Sequence, residues 1–129
     1  MPPVSRVAME GDLERLASIV ARRLSSSQQR IAIAESCTGG LLCSSLTDIS
    51  GASTWFERGW VVYSNEAKTE SLGVPFELIE TYGAVSVEVA EAMVLGVIET
   101  VDVDWAVAIS GIAGPMNDEG MKSVGTVCI

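Results

Sequence analysis

A chain of 129 residues has room for one domain with a sizeable core and too little for two ordinary ones. Being 48% hydrophobic with a positive mean hydropathy, it is not a disordered tail. A formal net charge of −9 with two lysines, Lys68 and Lys122, argues against nonspecific binding to nucleic acid or to an anionic membrane.

Residues 1–9 carry Pro2 and Pro3 and read as a frayed lead-in. From Glu10 to Leu24, Leu13, Leu16, Ile19, Val20 and Leu24 recur at helical spacing, which predicts an amphipathic helix, followed by a loop in "SSSQQ". Residues 31–34 read as a short buried strand, with Ser36 or Thr38 placed to cap a helix that runs to about Thr47. After a turn in "DISGAS", residues 58–63 fit a second strand, and Ser64 or Asn65 opens a short helix closed by Gly73. Pro75 and Gly83 bracket another short helix. Ser86 caps a longer one with Val89, Met93 and Val97 on one face. "DWAVAIS" is a buried strand and "SVGTVCI" a last one. Strands alternating with helices predict a layered α/β/α sandwich with a mixed, partly parallel sheet, formed by one domain over residues 1–129.

No apolar run approaches the roughly 20 residues of a membrane helix, and no basic-then-apolar leader opens the chain. The expectation is a soluble, cytoplasmic protein. Three cysteines, Cys37, Cys43 and Cys128, with no histidine, argue against a disulfide framework or a zinc site.

Three predicted strands end in polar clusters: "ESCTGG", "YSNEAK" and "SGIAGP". Open α/β sheets bind ligands beyond the carboxyl ends of their strands, although turns and caps use the same residue types. Without histidine no Ser-His-Asp triad can form within the chain, so a serine nucleophile needs another base, and lysine is the recognised alternative. Ser36 with Lys68 is the pairing that the composition permits. Cys37 is the rival nucleophile, since a helix N-terminus lowers a thiol's pKa, while a cysteine beside a strand is more often an inert hydrophobe. Glu35 is a candidate base, or a group that holds a backbone N–H or Lys68. Gly39 and Gly40 would expose N–H donors to an oxyanion or phosphate.

Taken in order, "AESCTGGLL", "LTDISGAS", "RGWVVYSNEAK", "YGAVS" and "GIAGP" with the later "VGTV" resemble the C-terminal domain of the CinA family, the nicotinamide-nucleotide amidohydrolases, from about Ile31 to Ile129. The resemblance implies hydrolysis of the carboxamide of nicotinamide mononucleotide to nicotinate mononucleotide and ammonia, with no metal or cofactor. The family's nucleophile falls on Ser36 and its partner lysine on Lys68, with Tyr63 close by as a third catalytic residue. The ligand-binding residues implied are Glu35, Cys37, Thr38, Gly39, Gly40 and Asn65, together with the loop Ser110, Gly111, Ile112, Ala113 and Gly114. Three departures stand out. Position 110 is Ser where the family has Thr, and "MNDEGMKS" is more acidic and bulkier than the family's glycine-rich stretch. The family also continues past position 129 through a further strand and a basic motif, so a shorter chain would expose a sheet edge and lack an arginine for phosphate. An inactive nucleotide- or protein-binding relative is the alternative reading, and a DNA-binding factor a third that the acidity opposes. Exposed edges and an apolar composition favour a homodimer or higher homo-oligomer.

Overall fold

The predicted strands pair around the most apolar of them. The computed structural model describes residues 6–115 and 122–129; the readings of residues 1–5 and of the acidic stretch 116–121 fall outside the described residues. Strands β1 (Ile31–Glu35), β2 (Phe56–Val61), β3 (Trp105–Gly111) and β4 (Val127–Cys128) form one sheet in the order β2-β1-β3-β4. β1 runs parallel to both β2 and β3, and β4 is antiparallel to β3. Every residue of β1 is buried, as a central strand covered on both faces requires.

The helices are α1 (Arg6–Ser27), α2 (Leu41–Thr47), α3 (Asn65–Leu72), α4 (Phe76–Tyr82) and α5 (Val87–Thr100), with a 3₁₀ turn at Ala52–Thr54. Side chains of β1 alternate between two cores. Ile31 and Ile33 pack with Ala17, Ala21 and Leu24 of α1 and with Leu46 and Trp55. Ala32 and Ala34 join Leu72, Ile79, Val89, Met93 and Val97 of α3, α4 and α5. The result is the expected three-layer α/β/α sandwich on a mixed sheet.

Gly96 explains how the second layer closes. A Cβ at this position would lie 2.0 Å from the Leu72 carbonyl oxygen, so α5 meets the end of α3 only without a side chain there.

Several expectations need correction. The first helix is longer than predicted: residues 6–9 are helical rather than lead-in, and residues 25–27 continue it rather than form a loop. The second strand sits two residues earlier, leaving Val62 and Tyr63 just beyond its carboxyl end. Neither Ser36 nor Thr38 caps α2; its N-cap is Gly40, at φ 100°, with no side-chain cap of its own. Ser64, Ser86, Gly73 and Gly83 take the capping positions predicted for them.

Candidate active site

Leaving β1, the chain moves to β2 on one side; leaving β2, it crosses to β3 on the other side of β1. Such a reversal opens a crevice beyond the carboxyl ends of β1 and β3. The three polar clusters meet there, around a cavity of about 200 Å³. Ser36 and Cys37 follow β1; Tyr63, Asn65 and Lys68 follow β2; residues 110–114 end β3; all line the cavity.

Ser36 and Lys68 are both buried, at 6% and 1% exposure. Lys68 Nζ donates to Ser36 Oγ at 3.2 Å, to the Tyr63 carbonyl at 3.1 Å and to the Ser64 carbonyl at 3.4 Å. Ser36 Oγ in turn donates to the Tyr63 carbonyl at 3.4 Å. Local sequence produces this arrangement. Ser64 caps α3 through the Ala67 amide, so Lys68, one turn on, is directed back toward the strand ends. The Ser36 backbone is pinned because its N–H donates to the Ile109 carbonyl while the neighbouring Glu35 carbonyl accepts from Val62. Among the described residues lining the cavity, Lys68 is the one charged side chain.

Tyr63 reaches the pair through its main-chain carbonyl, and its side chain is 66% exposed at the cavity mouth. Ser110 lines the wall, with its hydroxyl donated to the Ala84 carbonyl at 2.7 Å. Burial, with a smaller contribution from Glu35, raises the Cys37 thiol above its ordinary value, against the Cys37 and Thr38 amides and Lys68. The rival nucleophile is therefore held as a thiol.

Glu35, Thr38, Gly39 and Gly40 are not among the residues lining the cavity. Glu35 is fully buried and turns to α2, accepting from the amides of Leu42 at 3.0 Å and Cys43 at 2.8 Å and from the Thr38 hydroxyl at 2.5 Å. Burial alone would raise its carboxyl. Hydrogen bonds from the Cys43 and Thr38 side chains and from the two amides outweigh that and hold it below the ordinary carboxylate value. The same contact, with burial first, pushes the Cys43 thiol up to about 12. The N-terminal amides of α2 are thus taken by the chain's own carboxylate. Gly39 is spent as well, its N–H donating to the Ser36 carbonyl at 3.1 Å.

Sequence reasoning missed Ala84 and Val85, which line the cavity, and Lys122, whose Nζ donates to the Tyr82 carbonyl at 2.8 Å and to that of Val85. Lys122 thereby ties its own segment to the end of α4 and to the loop between α4 and α5. Its rarity was the available signal, being one of two lysines.

Residues 13–129 match the family model of the CinA C-terminal domain. A CinA-like protein of Chlorobium chlorochromatii is 52% identical over 113 residues, covering 88% of this chain and 27% of that protein. The chain therefore spans about a quarter of the length of such relatives. The nicotinamide-nucleotide amidohydrolase PncC of Enterobacter agglomerans is 48% identical over 118 residues, 92% of this chain and 72% of that protein. Among solved structures, the competence/damage inducible protein CihA of Agrobacterium tumefaciens superposes with a TM-score of 0.86 at 39% identity, over 98% of this chain and 74% of that one. A CinA superfamily protein of Escherichia coli gives 0.86 at 36% identity, over 98% of this chain and 72% of that one. With the ordered motifs and the fold in agreement, this chain belongs to the CinA C-terminal domain family.

Proposed function

We propose that this protein hydrolyses the carboxamide of nicotinamide mononucleotide, releasing ammonia and nicotinate mononucleotide, with Ser36 as nucleophile and Lys68 as its base. The observation that carries the reading is the buried Lys68 Nζ at 3.2 Å from Ser36 Oγ, at the edge of a cavity. The similarity to a protein named as a nicotinamide-nucleotide amidohydrolase supports the substrate.

To act as base Lys68 is neutral, and the Ser36 hydroxyl, which in the resting arrangement accepts from Nζ and donates to the Tyr63 carbonyl, turns to donate to Nζ instead. Ser36 Oγ attacks the amide carbon as Lys68 takes its proton. Lys68 returns that proton to the departing nitrogen, which leaves as ammonia. Water then attacks the acyl-serine with Lys68 again as base, giving the carboxylate and restoring Ser36. The amides of Cys37 and Thr38, which face the space around the Cys37 sulfur, are the donors for the oxyanion. The exposed Tyr63 ring at the mouth offers a π face to the cationic pyridinium ring of the substrate. The cavity is large enough for the ring and its amide, and the ribose phosphate extends outward past Asn65. Self-association and a cytoplasmic location belong to the same reading, and light scattering on the purified chain measures the first.

The test is ammonia release from the nucleotide by the wild type and by Ser36→Ala. Turnover that the alanine variant abolishes while keeping its fold supports the proposal. Turnover within a few-fold of wild type in that variant refutes Ser36 as nucleophile, and no turnover in the wild type refutes the activity. The riboside and free nicotinamide, run in parallel, define how much of the substrate is recognised.

A further inference from the structure

Glu35 is a fully buried ionisable group that the Ser36–Lys68 chemistry leaves unused. We infer that it is a positioning residue for Ser36, setting the turn that carries the nucleophile by acting as the missing N-cap of α2. The inference rests on the amidohydrolase reading for its kinetic readout.

The turn from Ser36 to Gly40 is held internally by two hydrogen bonds, Gly39 N–H to the Ser36 carbonyl and Leu41 N–H to the Thr38 carbonyl, each 3.1 Å. Gly39 and Gly40 both have positive φ, at 60° and 100°, so the segment has little stiffness of its own. One end is anchored in the sheet by the Val62, Glu35, Ser36 and Ile109 backbone bonds. The other end begins α2, whose Gly40 cap has no side chain to accept the first free amides. Glu35 supplies the acceptor from across the turn. Its two oxygens take the Leu42 and Cys43 amides, and its Oε1 also takes the Thr38 hydroxyl inside the turn. Backbone and side chain of one residue therefore fasten both ends of the loop, and Ser36 is the next residue in it. An N-cap ordinarily precedes its helix directly. Here it comes from the central strand, which makes the position of Ser36 relative to Lys68 depend on the cap.

A purely structural role predicts lower stability and unchanged turnover per folded molecule. A positioning role predicts loss of kcat with KM preserved, because the binding wall at residues 110–114 comes from another strand. The experiment uses the full chain with Glu35→Gln, which keeps the volume but turns an NH₂ group toward amide donors. Folded fraction is checked by circular dichroism. The expected result is a kcat at least tenfold lower with KM within threefold of wild type. A kcat within twofold of wild type overturns the inference. If the glutamine variant does not fold, Thr38→Val removes one donor and leaves the carboxylate; a threefold or larger fall in kcat at constant KM supports the inference, and a smaller one overturns it. If the wild type releases no ammonia, the amidohydrolase reading has failed on its own. Hydrogen exchange then decides for Glu35: the Ser36 amide should exchange at least tenfold faster in the glutamine variant while that of Ala34 is unchanged, and equal protection at Ser36 overturns the inference.

Discussion

Gly96→Ala sets two known effects of opposite sign against each other. In the middle of α5, alanine is favoured over glycine by about 1 kcal/mol. Against that, the added Cβ would lie 2.0 Å from the Leu72 carbonyl oxygen and 2.9 Å from its carbonyl carbon and Cβ. Ordinary contact begins near 3.4 Å, so the two helices must part by more than 1 Å along a seam that includes Met93, Val97 and Leu72. The obstacle is backbone, which cannot rotate away as a side-chain end would. Overpacking of this kind costs about 1–3 kcal/mol, and a backbone contact belongs at the upper end, leaving a net loss of about 1–2 kcal/mol. At about 2.1 cal/mol/K per residue, each kcal/mol shifts the Tm of a 129-residue chain by about 4 °C. The expected fall in Tm is therefore about 4–8 °C. Lys68 lies one helical turn before Leu72 on α3, so the same displacement lengthens its 3.2 Å contact with Ser36 and lowers turnover at temperatures where the variant is still folded. Thermal unfolding followed by circular dichroism, with ammonia release at 20 °C, measures both. A Tm equal to or above wild type would refute the close approach, because only the propensity gain would then remain.

Lys68→Arg should lose at least a hundredfold in turnover, because a guanidinium cannot surrender its proton; a rate near wild type would mean that position 68 acts on the ligand only as a charge. Cys37→Ser should keep turnover within about threefold, since burial holds that thiol protonated, and its abolition would move the nucleophile to sulfur. Glu35 has a folded-state carboxyl below the ordinary 4.5, so its contribution to stability is complete above that value and is lost as pH falls through the lowered one. The stability gap between wild type and Glu35→Gln in urea titrations should accordingly be largest at neutral pH and shrink below about pH 4.5; a gap independent of pH would refute the ionised cap. Duplex DNA should show no measurable binding at physiological salt, and micromolar affinity with a steep salt slope would contradict the acidic surface implied by a net charge of −9.

The elements were legible where local chemistry decides them. Ser64, Ser86, Gly73 and Gly83 mark helix ends because caps and left-handed termini depend on one or two adjacent residues. The first helix runs past its expected ends on both sides: Pro2 and Pro3 favour a frayed lead-in and three serines favour a loop, yet residues 6–9 and 25–27 are helical. Propensity is a weak guide there, because an anchored helix extends past its favoured residues when its interior turns are already packed, as Ala17, Ala21 and Leu24 are.

Within the site, the absence of histidine excludes a Ser-His-Asp triad and leaves Ser36 with Lys68 as the pairing the composition permits, with Cys37 as the rival nucleophile. Sequence also placed all three polar clusters at strand ends. It did not place them at neighbouring strands; that follows from the order β2-β1-β3-β4, which depends on long-range pairing between segments some 20 to 70 residues apart. The contacts of Glu35 and Tyr63 were decided by tertiary structure alone. A buried carboxylate adopts whichever donors the packing presents, and here these are the amides of Leu42 and Cys43, seven and eight residues on, rather than a substrate. Tyr63 reaches the Ser36–Lys68 pair through a carbonyl that every residue type carries, so no side-chain motif could announce it. Side-chain chemistry can be read along a chain, whereas direction, burial and main-chain contacts exist only once distant strands have paired.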